Sequence, residues 1–84
     1  MRTREVSVAN ILGLHASLSA RIVHAVSRFR CNVSLTFNGR KANARHVLAV
    51  MLLAASVGST VMIETDGPDE AEALDALTSL IGDR

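Results

Sequence analysis

Tryptophan and tyrosine are absent from the 84 residues, and phenylalanine occurs only at Phe29 and Phe37. Stacking a sugar ring or an unpaired base draws on large aromatic faces, so a carbohydrate surface or a single-strand nucleic-acid platform is disfavoured. Also missing is the Lys/Arg run with interleaved aromatics that nucleic-acid surfaces usually carry, and no nucleic-acid partner is expected. Cysteine is reduced to Cys31, which rules out an intramolecular disulfide and fits a reducing cytosol. The first ten residues, MRTREVSVAN, contain no apolar signal core. The longest apolar run, Val47 to Ala55, would span only about 14 Å as a helix, against roughly 30 Å for a bilayer. The expectation is a cytoplasmic protein with no membrane insertion.

What is present points to one modest aliphatic core. Hydrophobic residues make up 49% of the chain, and a chain of this length buries roughly 60–65% of its unfolded surface. Residues 1–84 are therefore expected to form a single domain, and to work as a monomer. Net charge is only +1, but it is unevenly spread. Before Thr60 every charged residue except Glu5 is basic, and the other acids cluster from Glu64 onward. A basic front half suits an acidic partner or a bound anion.

Periodicity divides the chain into seven elements. Val6 and Val8 alternate with Glu5 and Ser7, as in a strand with one buried face. Asn10 to Leu14, with Gly13, reads as a tight loop. From Ala16 the spacing of Leu18, Ile22, Val26 and Phe29 is helical, with Arg21 and Arg28 toward water. Cys31, Val33, Leu35 and Phe37 share one face of a second strand, and Cys31 is read as an inert core residue. Asn38-Gly39 is the preferred pair for a type I′ hairpin turn, returning the chain as a strand from Arg40 to Ala44 whose charges suit a sheet edge.

A second helix is expected from about His46 to Ala55, ending before Gly58. It is apolar almost all round, so it is either unusually enclosed or partly held ready for a partner. Thr60 to Asp66 reads as a fourth strand with Val61 and Ile63 inward. After Gly67-Pro68, Asp69, Glu70 and Glu72 open a third helix, where the dipole favours acids. Leu74, Leu77 and Ile81 form its buried face, and Gly82 closes it. The order βαββαβα, with one apolar face per strand, predicts an α+β fold: a four-stranded, mainly antiparallel sheet with three helices on one side.

The junction Gly13-Leu14-His15-Ala16-Ser17 carries the most chemistry. It places an imidazole at a helix N-cap, beside amides that have no partner within the helix and favour an anion. A phosphoryl group on that ring could accept from the amides of Ala16 and Ser17, and from the Ser17 hydroxyl. A neutral imidazole is nucleophilic near pH 7. His24 lies nine residues on, half a revolution round the helix, so it cannot share a metal or proton relay with His15. A His15–His46 pair finds no third ligand, and neither metal nor cofactor is expected.

The stretch GLHASLSARIV, read from Gly13, resembles the active-site segment of the histidine-containing phosphocarrier proteins (HPr) of bacterial phosphotransferase systems, including the nitrogen-related branch. The resemblance continues without gaps through FNGRKANARHVLAVMLLAASVGS and ETDGPDEAEALDAL. It implies an open-faced β-sandwich and a carrier that is not itself an enzyme. It implies that His15 takes a phosphoryl group on Nδ1 from Enzyme I, charged by phosphoenolpyruvate, and passes it to an Enzyme IIA-type protein. It also implies a docking surface on the first two helices, matched here by Ala16, Ser17, Ala20, Val47, Leu48 and Met51.

Three positions depart from the family pattern. Ser17 stands where members usually carry arginine, and Leu18 where proline or alanine is typical. A charged hydrogen bond of the lost kind is worth roughly 1.5–3 kcal/mol, so its loss should weaken transfer about tenfold to a hundredfold. Arg21, one turn further on, is the candidate to substitute in part. His46 stands where many members carry a regulatory serine, so that phosphorylation branch is expected to be absent. Three readings result: an active phosphocarrier, a degenerate docking module that carries phosphate poorly or not at all, and an unrelated α/β module, which the missing aromatics and basic run disfavour.

Overall fold

The computed structural model describes residues 1–82. Its elements are β1 (Arg2–Ser7), α1 (Ala16–Val26), β2 (Asn32–Phe37), β3 (Arg40–Asn43), α2 (Val47–Leu52), β4 (Thr60–Asp66) and α3 (Glu70–Gly82). This is the βαββαβα order that the periodicity predicts. The strands form one sheet in the order β1-β4-β2-β3, every pairing antiparallel.

Register follows the alternation of side chains. Val61 of β4 faces Val6 of β1, and Ile63 faces Leu35 of β2. Val33, Leu35, Val61 and Ile63 all fall on the buried side. Thr65 shares that face, and its hydroxyl donates to the Glu70 carbonyl at 2.9 Å, so the buried polar group is satisfied. Asn38 and Gly39 have φ of 53° and 78°, the two positive angles that a type I′ turn demands. Arg40 and Lys41 then lie exposed on the edge strand β3.

Helix α3 packs on β1 and β4, α2 on β3, and α1 on both other helices. Leu18, Ile22 and Val26 of α1 and Leu77 and Ile81 of α3 are at most 1% exposed. Each such burial stabilises by about 1.5–3 kcal/mol. The other face of the sheet is polar, with Asn32, Ser34, Lys41, Asn43, Glu64 and Asp66 around an open depression of about 430 Å³. Among the described residues no helix is long and apolar enough to cross a membrane.

Helix α2 is shorter than the apolar run suggests. It covers Val47–Leu52, with His46 as N-cap, and does not reach Ala55. The amides of Leu53 and Ala54 donate to carbonyls three residues back, at 3.2 and 3.0 Å, and Ala54 turns to φ 56°. That turn frees the Ala55 carbonyl to accept the Leu14 amide at 2.9 Å. The second strand begins at Asn32 with Cys31 buried just before it, Phe29 lies beyond the end of α1, and β3 stops at Asn43. Gly82 is the last residue of α3, and the closure expected after it lies outside the described residues.

Candidate functional site

The approach to His15 is fixed by backbone. Asn10 accepts the Leu12 amide on its side chain at 2.9 Å and the Gly13 amide on its carbonyl at 2.8 Å. Gly13 has φ 68°, and a Cβ there would lie 2.5 Å from the Ala55 carbonyl oxygen. Only glycine fits so close an approach at that φ. Leu14 is then drawn inward, 5% exposed, with its amide tied to Ala55.

His15 follows in extended conformation, φ −83° and ψ 177°, as the N-cap of α1. Its carbonyl accepts the Ser19 amide at 2.9 Å, the first bond of the helix. Its Nδ1 accepts the Ser17 amide at 3.3 Å. An acceptor at Nδ1 carries the lone pair, which assigns the proton of the neutral ring to Nε2. Nε2 itself is buried and has no hydrogen-bond partner among the described residues. The ring is thus held by a long cap bond to Nδ1.

Ala16 and Ser17 are exposed at the first turn of α1. No acidic residue stands in that turn, so nothing there opposes a bound anion. No cationic side chain bonds to His15 or Ser17 among the described residues. Arg21 lies four residues after Ser17, in a groove between α1 and α3 lined also by Ala20, His24, Ala25, Arg28 and Leu80. To meet a group on Nδ1, its side chain must leave that groove and swing toward the helix N-terminus.

The residues expected to dock partners are distributed over two helices. Ala20 borders the α1/α3 groove, whereas Val47, Leu48 and Met51 stand on α2, where Leu48 is 68% exposed and Met51 half-buried. His46 makes no side-chain cap bond. The sequence reading missed Ile11 and Leu12, 82% and 70% exposed at the tip of the Asn10 turn, and Leu52 and Val57 beyond Met51. Two bulky aliphatics confined between Asn10 and Gly13 were the available signal, because so short a turn cannot fold them inward.

Elsewhere the titratable groups have structural duties. Burial pushes the Cys31 thiol up to about 11, which leaves it protonated and unreactive near neutrality. Asp69 accepts the Arg30 and Cys31 amides at 2.8 and 2.9 Å, and these bonds, the Arg30 amide foremost, hold its carboxyl below the usual value. The acidic start of α3 therefore does more than match a dipole. Glu70 reaches back to the Gly67 amide at 3.1 Å, in the manner of a capping box, and Asp69 anchors a distant loop. Among the described residues no group of three or more potential ligands could hold a metal ion.

Against known proteins, a family model described as the PTS HPr component phosphorylation site matches residues 2–83. The phosphocarrier protein HPr of Cupriavidus necator is 48% identical over 84 residues, covering 100% of this chain and 94% of its own length. HPr of Xylella fastidiosa is 43% identical over the same span, again covering 100% of this chain and 94% of its own length. The crystal structure of HPr from Bacillus anthracis superposes with a TM-score of 0.92 at 32% identity, covering 95% of each chain.

Proposed function

Because the chain belongs to the HPr family of phosphocarrier proteins, we propose that His15 is the residue on which it carries phosphate. The protein is a phosphoryl carrier of the phosphotransferase system, not an enzyme, and membership implies Enzyme I and an Enzyme IIA-type protein as partners. The observation that carries the assignment to His15 is its Nδ1, which bears a lone pair at a helix N-terminus.

The step needs no base. The Nδ1 lone pair attacks phosphorus, the bond from phosphorus to the donor breaks, and the ring proton stays on Nε2. The Ser17 amide, released from Nδ1, then donates to a phosphoryl oxygen, joined by the Ala16 amide and the Ser17 hydroxyl. Arg21 is the one cation within a turn of Ser17 on the same side of the helix. The docking surface comprises Ala20, Val47, Leu48 and Met51, extended by the exposed apolar side chains of Ile11, Leu12, Leu52 and Val57. We take the working unit to be one chain in the cytoplasm and residues 1–84 to be one domain; the core shared by all three helices and the sheet supports the single domain.

The test is phosphorylation by Enzyme I and phosphoenolpyruvate, read as intact mass at alkaline pH. One acid-labile phosphate is expected on the natural chain and none on His15→Ala. An adduct of the same size on His15→Ala would reject the assignment.

A further inference from the structure

We propose that the groove between α1 and α3 binds a small organic polyanion, a molecule with two or more carboxylate or phosphate groups on a short carbon skeleton. The groove is open and shallow, with a volume of about 370 Å³, toward the lower end of the roughly 300–1,000 Å³ of ordinary small-molecule sites. Three of its lining residues are basic, Arg21, His24 and Arg28, and none is acidic. Arg21 and His24 lie three residues apart on α1, and Arg28 follows just past its C-terminal end. Ala20, Ala25 and Leu80 complete the lining with apolar surface.

Several basic groups of the molecule are engaged by other residues. Arg4 bonds to Asp75 and Thr78, Lys41 to Glu64, and Arg45 to three backbone carbonyls. Among the described residues no ion pair takes up Arg21 or Arg28. The acids of α3 are largely engaged elsewhere, Asp69 by the Arg30 and Cys31 amides, Glu70 by Gly67 and Arg2, and Asp75 by Arg4. Glu72 shares a stripe of α3 with Leu80, but it neither lines the groove nor pairs with an arginine. A concave surface with one sign of charge concentrates anions.

The shape selects a small molecule. Two guanidiniums and an imidazole around one groove match two anionic groups separated by a few bonds, and the apolar lining favours a hydrocarbon body over a compact inorganic ion. The groove runs along the side of α1, so binding there does not need the lone pair of His15.

The decisive experiment is an amide-resolved NMR titration of the whole protein at constant ionic strength, with citrate, with 2-phosphoglycerate, and with sulfate as compact control. Saturable changes are expected at Arg21, His24, Ala25, Arg28 and Leu80, with a Kd on the order of 1 mM and clear preference over sulfate. Citrate alone binding assigns the carboxylate class, and 2-phosphoglycerate alone the phosphate class. Arg28→Ser should weaken binding about tenfold and Arg28→Lys much less, while His15→Ala should leave it unchanged. Changes that do not saturate, that centre on Ala16 and Ser17, or that survive Arg28→Ser at full strength would overturn the proposal.

Discussion

The two ends of α1 are built on opposite plans. At its C-terminal end, carbonyls and amides of the following loop are met by side chains from far along the sequence. The Arg45 guanidinium donates to the carbonyls of Val26, Phe29 and Cys31 at 3.3, 2.8 and 2.9 Å, and Asp69 accepts the amides of Arg30 and Cys31. At its N-terminal end the chain is fixed by the Gly13–Ala55 approach, but the helix amides are left with one long bond to an imidazole. One end is closed for stability, and the other is left open, as the proposed phosphoryl acceptor His15 requires. A fold can leave such an end unsatisfied only if its position is secured by something else, which here is backbone against backbone.

That contrast can be broken first at Gly13. Gly13→Ala forces a side chain into a positive φ and against the Ala55 oxygen, so a loss of about 3 kcal/mol is expected. Chemical denaturation would measure it, and phosphorylation of His15 should fall with it. A variant as stable as the natural chain would show that the approach is not what holds the open end.

The next effect sharpens the open end itself. Ser17→Arg supplies the charged donor that the first turn lacks, and transfer from Enzyme I should improve about tenfold to a hundredfold. Rapid-quench kinetics would read the gain, and an unchanged rate would mean that the amides already suffice.

At the closed end, Arg45→Met removes three bonds to carbonyls that are only partly buried. A loss of about 1–3 kcal/mol is expected, with phosphorylation nearly unchanged. Equal damage to stability and phosphorylation would erase the division between the two ends.

The smallest effect is on acid stability through Asp69. Its carboxyl is held below the ordinary value of 3.8, so it stabilises the fold above that pH, and the contribution fades as pH falls through the lowered value. Asp69→Asn should therefore melt lower than the natural chain at neutral pH, with the gap closing below about pH 4. A gap constant across acid titration would mean that the ionised carboxylate is not the stabilising form.

The same division explains what the sequence makes legible. The strands, the hairpin at Asn38-Gly39 and the buried stripe of α1 are encoded within a few residues of where they act, and the periodicity finds them. So is the placement of His15, which needs only Gly13 before it and helical spacing after it. The early end of α2 is different, because Ala54 is not a residue that signals a stop. The turn there is imposed by Gly13 and Leu14, some forty residues earlier in the chain. Asp69 likewise reads as helix-start charge, since nothing local reveals that its partners are the Arg30 and Cys31 amides. Ile11 and Leu12 were passed over because a loop was read for its turn and not for what the turn displays.

The bare first turn at Ser17 also bears on the energy of the cargo. A carrier equilibrates with a donor on one side and an acceptor on the other, so whatever stabilises its loaded form lowers the potential at which it can give the group away. With no arginine at position 17 to hold the phosphoryl oxygens, a phosphate on the proposed acceptor His15 would sit higher in free energy, and each 1.4 kcal/mol shifts both equilibria tenfold in opposite directions. The chain is then harder to charge and readier to discharge. In a cell where several carriers compete for one donor, such a protein would hold little phosphate at rest and surrender what it holds quickly.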